Sequence, residues 1–334
     1  MILVTGGTGL VGAHLLFHLL NENQSVRAIY RSTSKFENVK RIFSYYTKNV
    51  DALFDKIEWV EADLNNIPQL TEAFKDITYV YHCAALVSFD PNMFDLLKKT
   101  NIKGTANIVN FCISNKVEKL CYVSSIAALG DTGTSKIVTE DNDWNKELDH
   151  SGYAITKYGA ELEVWRGTQE GLNAVIVNPG VIIGPGIWQE GSGSLISKTY
   201  NGLKFYTTGT TAFVDVNDVV YSMVTLMKSE IVNQRFIVVA EHLSFKDFFT
   251  KTANVLGVKP PTIEAKKWLL QLAWRLDWLL GKLINKRRIL SRQTANSAVS
   301  ISNYSNAKLK ESIDISFKPI DKSLELTCNF FLSN

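Results

Sequence analysis

Short apolar runs alternate with helical periodicity through the first half of the chain. Ile2-Leu3-Val4 is apolar and ends in glycines, which predicts a buried strand. From Leu10 to Leu20 the apolar residues Leu15, Leu16, Leu19 and Leu20 recur at helical spacing. Val26 to Tyr30 reads as a second strand. Phe36 to Phe54 reads as mostly helix, with Val39, Ile42, Phe43 and Tyr46 on one side. Ile57 to Val60 is a third strand, Leu70 to Phe74 a short helix and Tyr79 to Cys83 a fourth strand. Phe94 to Cys112 is helical, Leu120 to Ser124 a strand, Tyr153 to Arg166 a helix and Ala174 to Val177 a strand.

These strands are nearly all apolar rather than alternating. A strand that is apolar on both faces must be covered on both, so the pattern predicts an α/β fold with a Rossmann-type doubly wound parallel sheet. The rhythm stops after Pro179, where Gly180, Gly184, Gly186, Gly191 and Gly193 follow. Arg235 to Val239 reads as a strand that rejoins the sheet. The expected organisation is a nucleotide-binding domain over 1–178, rejoined by about 213–240. Segments 179–212 and 241–334 then form a smaller, mostly helical C-terminal substrate lobe.

Composition narrows the possibilities. The 334 residues, 46% of them hydrophobic, suffice for one sizeable core. The net charge is +3, and the longest basic run is Lys286-Arg287-Arg288, so no nucleic-acid partner is expected. Cys83, Cys112, Cys121 and Cys328 show no metal-ligand spacing and read as reduced thiols of a cytoplasmic protein, with no metal site. With a strand starting at Ile2, no targeting segment is expected. Trp268 to Ile284 is apolar, but Arg275, Asp277 and Lys282 interrupt it, each costing about 2.5–3.5 kcal/mol at a bilayer centre, so no spanning segment is expected.

The turn after the first strand reads Thr5-Gly6-Gly7-Thr8-Gly9-Leu10-Val11-Gly12. Glycine permits a tight turn and close approach of backbone to a pyrophosphate, and the following helix start offers N–H groups and a positive dipole end. Gly6, Gly7, Thr8, Gly9, Leu10, Val11 and Gly12 are therefore candidate dinucleotide contacts. No acid follows the second strand to take the ribose 2′-hydroxyl. Arg31, with Ser32 or Lys35, suits a 2′-phosphate instead, which favours NADP while leaving NAD possible. Asp63-Leu64 follows the third strand, where the carboxylate accepts from an adenine amino group or caps the next helix.

Tyr153 and Lys157 stand four residues apart on one helix face. A free phenol titrates near about 10, and a neighbouring ammonium lowers that value, so Tyr153 can exchange a proton with a substrate oxygen. Val123-Ser124-Ser125 ends the preceding strand at the carboxyl edge of the sheet, where a serine hydroxyl can donate to a developing oxyanion. Either serine can serve.

Together these residues resemble the extended short-chain dehydrogenase/reductases, also called the NAD-dependent epimerase/dehydratase family. The resemblance is carried by Thr5–Gly12, Asp63-Leu64, His82-Cys83-Ala84-Ala85, Asn101 within Thr100–Thr105, Ser125, Tyr153 with Lys157, Asn178-Pro179-Gly180, and Phe213–Val219. It implies Ser125 as the hydroxyl donor, by its spacing to Gly130, with Ser124 as the alternative. It also implies that Lys157 holds the nicotinamide ribose and that Asn101 supports the active-site helix or its water. Cys83, Ala84 and Ala85 would lie along the cofactor, and Pro179, Gly180 and Val181 would line the nicotinamide. Asp215 and Asp218 would be structural, and a homodimer through the helices at 94–112 and 153–166 is expected.

Where this family often reads N-x-A-G, the chain has His82-Cys-Ala-Ala, and His82 reads as a core or strand-end residue. Val26-Arg27-Ala28-x-x-Arg31 and Val123–Gly130 look like the dihydroflavonol-reductase and 3β-hydroxysteroid-dehydrogenase-like members. That look implies reduction of a ketone or aldehyde, or oxidation of the alcohol, on a fairly apolar small-molecule substrate. Trp268–Ile284 then walls the pocket, packs in the core or touches a membrane surface. The alternative is a nucleotide-sugar epimerase, for which Lys204, Arg235, Arg287, Arg288 and Arg292 are candidate pyrophosphate cations. Ile126 and Ala127 after the serine argue against a dehydratase. Ser125, Tyr153 and Lys157, all present, argue against a non-catalytic cofactor sensor.

Overall fold

The computed structural model describes residues 1–130, 137–284 and 291–333. In chain order the first part runs β1 (Ile2–Thr5), α1 (Leu10–Asn21), β2 (Val26–Tyr30), α2 (Phe36–Tyr46), α3 (Val50–Phe54), β3 (Glu58–Glu61), α4 (Ile67–Ala73) and β4 (Tyr79–His82). It continues with α5 (Phe94–Leu97), a π-helical stretch (Lys98–Lys103), α6 (Gly104–Ser114), β5 (Lys119–Val123), α7 (Gly152–Gln169) and β6 (Ala174–Pro179). Then come β7 (Val181–Ile183), α8 (Gly193–Tyr200), β8 (Phe205–Tyr206), β9 (Thr210–Asp215), α9 (Val216–Lys228), β10 (Gln234–Val238), β11 (Glu241–Ser244), α10 (Phe245–Leu256) and β12 (Ile263–Glu264). The chain ends with α11 (Lys267–Ile284), α12 (Arg292–Ser297), α13 (Ala307–Ser312) and α14 (Ile320–Leu332).

Seven parallel strands form the main sheet in the order β10-β6-β5-β4-β1-β2-β3. The order reverses between β1 and β4, and an open α/β sheet binds ligands at such a crevice, outside the carboxyl ends of its strands. Both faces are covered, as all-apolar strands require. Leu15, Leu16, Phe43 and Met223 pack on one face, and Phe74, Ile108, Ala160 and Val164 on the other, all buried. Burying each large side chain contributes about 1.5–3 kcal/mol.

The helix expected over Phe36–Phe54 is two helices. Thr47 is extended (φ −148°, ψ 154°) and its Oγ1 accepts from Asn49 N, a local bond that competes with helix continuation. The helix expected at Phe94–Cys112 is continuous but passes through the π-helical stretch.

The C-terminal part is largely helical and also holds two small sheets, β11-β9-β7 and β8-β12. Its core joins Ile183, Phe213, Phe248, Ile320 and Leu324. Asp215 caps α9 by accepting from Asn217 N and pairs with Lys318 Nζ at 3.0 Å, while Asp218 accepts from Lys318 N. Both aspartates are thus structural links to the C-terminal segment. In α11, Leu270 and Trp274 pack on Ala295, Ala298 and Val299 of the α12 region, and the opposite side faces outward. No described helix is long and apolar enough to cross a membrane.

Candidate active site

The tips of β1, β4, β5 and β6 meet at the carboxyl edge of the sheet. Gly6 has φ +68°, a conformation that L side chains rarely adopt, and a Cβ there would lie 2.7 Å from Ala84. Ala84 N donates to Thr5 Oγ1 and Cys83 N to Thr5 O, so the β1 and β4 loops lie against each other. A Cβ on Gly12 would come within 2.2 Å of Gly6 O. Gly9 stands at the N-cap of α1 without a side-chain cap, and the first turn carries no acid. Unhindered backbone at a helix start with its positive dipole end free suits the pyrophosphate of a dinucleotide.

Arg31, Ser32 and Lys35 are exposed beyond β2. Ser32 Oγ accepts from Ser34 N, and Lys35 Nζ lies 3.4 Å from Glu190 Oε1. Asp63 Oδ1 accepts from Asn65 N, whereas the cap of α4 is Asn66, which accepts from Gln69 N. Asp63 therefore does not cap the next helix. Leu64 is buried against Gly104, and its carbonyl accepts from Asn107 Nδ2. The neighbouring Asn65 has a buried Oδ1 with no partner among the described residues.

The two serines after β5 differ. Ser124 is buried and donates to Glu161 Oε2 at 2.6 Å. Ser125 Oγ accepts from Ala127 N at 3.1 Å, and its side chain lies near enough to Tyr153 to act on the phenol. Burial pushes the Tyr153 phenol above its usual value, and the nearby Ser125 side chain opposes the rise. Phe89, itself exposed, meets Tyr153 edge-on at 5.6 Å between ring centroids.

Lys157 is fully buried. Its Nζ donates to Tyr122 Oη and to Val123 O, both at 2.8 Å. Burial lowers its pKa to about 7, with Glu161 and Cys83 opposing. The ammonium is thus directed at the end of β5, and burial dominates the titration of both members of the expected pair.

Around them lies a buried polar network. His82 bridges Thr5 Oγ1 and Thr105 Oγ1, and burial pulls its pKa down to about 3, which makes it a strand-end structural residue. Glu161 also accepts from Asn178 Nδ2 and pairs with Arg235 at 2.9 Å. Asn101 is buried, with Oδ1 accepting from Leu86 N and Nδ2 donating to Leu86 O and Thr156 Oγ1, which ties the π-helical stretch to α7. Pro179 ends β6, Gly180 N donates to Val238 O, and Val181 opens β7 beside Phe213. Ala85 follows Ala84 on the β4 loop.

Sequence reasoning missed Tyr122, Glu161 and Phe89. Only Glu161 left a trace, one turn beyond Lys157 on the same helix. Arg235, taken as a free cation for a substrate pyrophosphate, is committed to Glu161 and to Glu140 O. Arg292 faces Asp149 at 3.6 Å, and Lys204 is exposed. Arg287 and Arg288 lie outside the described residues.

Known proteins resemble this chain in sequence and in fold. A Synechocystis protein carrying the name dihydroflavonol 4-reductase is 29% identical over 287 residues, spanning 84% of this chain and 80% of that protein. The UDP-glucose 4-epimerase of Vibrio cholerae is 26% identical over 314 residues, covering 90% of this chain and 87% of the other. The crystal structure of UDP-glucose 4-epimerase from Thermotoga maritima, solved with UDP-glucose, superposes with a TM-score of 0.77 at 19% identity, covering 99% and 98% of the two chains. The family model for the NAD dependent epimerase/dehydratase family matches residues 2–240, and the chain belongs to that family, the extended short-chain dehydrogenase/reductases.

Proposed function

We propose that this enzyme reduces a ketone or aldehyde of a fairly apolar substrate, or oxidises the corresponding alcohol, with NADP as its preferred cofactor. The convergence of Ser125, Tyr153 and buried Lys157 at the carboxyl edge of the sheet carries the reading. When bound, the nicotinamide supplies or takes the hydride. Tyr153 gives a proton to the substrate oxygen as the carbonyl becomes an alcohol, and takes it back in the reverse direction. The Ser125 hydroxyl, whose oxygen already accepts from Ala127 N, donates to the same oxygen. Lys157 spends two N–H groups on Tyr122 and Val123, which leaves its third for the nicotinamide ribose. Asn101 positions α7 through Thr156.

The apolar preference is supported by Phe89 against Tyr153 and by exposed Val87 on the same loop. Residues 179–212 and 241–334 serve as the substrate lobe. The NADP preference is supported by Arg31, Ser32 and Lys35, exposed after β2 with no acid among them. Four unpaired cysteines support a reducing cytoplasm. Exposed Ile155 and Leu162 on α7 support pairing of two copies through α6 and α7, which sedimentation velocity tests.

The second reading, a nucleotide-sugar epimerase, is favoured by the Vibrio cholerae relative and opposed by the commitment of Arg235 to Glu161. A screen that follows NADPH absorbance, with aromatic aldehydes, flavonoid-like ketones and ketosteroids against UDP- and GDP-sugars, decides between them. Turnover of the apolar carbonyls, with NADPH preference lost in Arg31→Glu, is the expected result. Tightly bound NAD and activity on sugar nucleotides alone would overturn it.

A further inference from the structure

Helix α11 turns apolar side chains away from the protein. Trp268 is 66% exposed, Leu272 49%, Leu276 50% and Leu279 45%. Their spacing of four, four and three residues puts them on one face. The opposite face is already used, through Leu270, Trp274 and the Gln271–Asn296 hydrogen bond. The outward stripe is thus apolar where a surface helix is ordinarily polar. Just before it, Phe205 and Ile263 are paired in register on β8 and β12, and both are exposed. An exposed apolar stripe of this kind marks an interaction site.

Charge identifies the partner. From residue 259 to 292 the sequence has nine Lys or Arg against Glu264 and Asp277, a local excess of +7 in a chain whose total is +3. Among the described residues, Lys259, Lys266, Lys267 and Arg275 are exposed around the stripe. A helix with an apolar face, tryptophan at its start and flanking cations matches the plane between lipid headgroups and acyl chains of an anionic bilayer. With 18 residues, α11 extends about 27 Å along that plane.

We propose that α11 docks the C-terminal lobe onto an anionic lipid surface. Trp268, Leu272, Leu276 and Leu279 enter the acyl boundary, and Lys266, Lys267 and Arg275 lie against the headgroups. The docking is reversible and does not depend on the catalytic assignment.

The full chain is sedimented with vesicles of phosphatidylcholine alone, or with about 30 mol % phosphatidylglycerol, at low and high salt. Binding to the anionic vesicles, weakened by salt and absent from the neutral ones, is expected. Lys266→Glu and Lys267→Glu each reduce partitioning at least about fivefold. The triple variant Leu272→Glu, Leu276→Glu, Leu279→Glu abolishes binding while its circular dichroism spectrum and Tm stay close to wild type, which shows an intact fold. The blue shift of tryptophan emission on binding shrinks in Trp268→Phe. No binding to anionic vesicles overturns the proposal, and so does equal, salt-insensitive binding to neutral ones. A wild-type oligomer that the triple leucine variant converts to monomer, without lipid binding, assigns the face to a second copy and also overturns it.

Discussion

Replacing Ser124 and Ser125 by alanine, one at a time, separates scaffold from chemistry at the end of β5. Ser124 is 4% exposed, and its hydroxyl is one of the hydrogen bonds to the buried Glu161 carboxylate. Removing it costs about 1.5–3 kcal/mol, the range for hydrogen bonds to charged groups. Asn178 and Arg235 still hold Glu161, so the lower end applies. For a chain of 334 residues that is a fall in Tm of roughly 2 °C. Ser125→Ala loses the cap on Ala127 N, about 1 kcal/mol, together with a donor to the developing negative oxygen, worth about 10²–10³ in kcat. Initial rates of NADPH oxidation on the best carbonyl substrate, alongside thermal unfolding, read both effects. Ser125→Ala should lose turnover with a small change in Tm, and Ser124→Ala should keep turnover within about tenfold with the larger drop in Tm. If Ser124→Ala is the inactive variant and Ser125→Ala the active one, the donor has been assigned to the wrong hydroxyl.

Tyr153→Phe should lower kcat by about a thousandfold or more with NADPH affinity unchanged, and retained turnover would remove the phenol from its role. Gly12→Ala places a Cβ 2.2 Å from the Gly6 carbonyl, so fluorescence titration should show NADPH binding weakened at least about 100-fold. Burial depresses His14 to about 4 and His82 to about 3, so between pH 6.5 and those values the unfolded chain takes up protons that the folded chain refuses. Their stabilisation, complete above pH 6.5, is lost as pH falls, and urea unfolding should give a smaller stability at pH 5 than at pH 7. Asp218, raised to about 6 by burial, opposes this with one proton against two, so a stability that rises toward pH 5 would refute the histidine assignment.

The doubly wound half was legible because strands buried on both faces cannot hide: β1, β5 and β6 are apolar at nearly every position. The glycine turn and the Tyr153/Lys157 spacing were legible for the same local reason. Contacts made far along the chain were not. Ser124 and Ser125 are equivalent until Glu161, 37 residues on, claims one of them. Tyr122 reads as core in an apolar strand, yet its hydroxyl holds Lys157. Arg235 reads as a free cation until the fold buries Glu161 beside it. Strands β7, β9 and β11 exist through pairing with one another, and β9 opens on two threonines after a glycine, so no local pattern announced them. Helix α11 is apolar all round, and periodicity alone does not say which side turns inward.

The seventh strand of the main sheet enters late. Between Pro179 and Gln234 the chain leaves to build β7, β8, β9 and α9, and only then does β10 pair with β6. Buried Lys119 likewise finds its acceptors, Leu226 O and Ser229 O, only at the end of α9. A fragment cut after Pro179 therefore carries a bare parallel edge and a stranded ammonium, and should aggregate when expressed alone. The same gap applies during synthesis. The edge waits for about 60 further residues, roughly 3–12 seconds on a ribosome adding about 5–20 per second, which makes the nascent chain a client for chaperones over that interval.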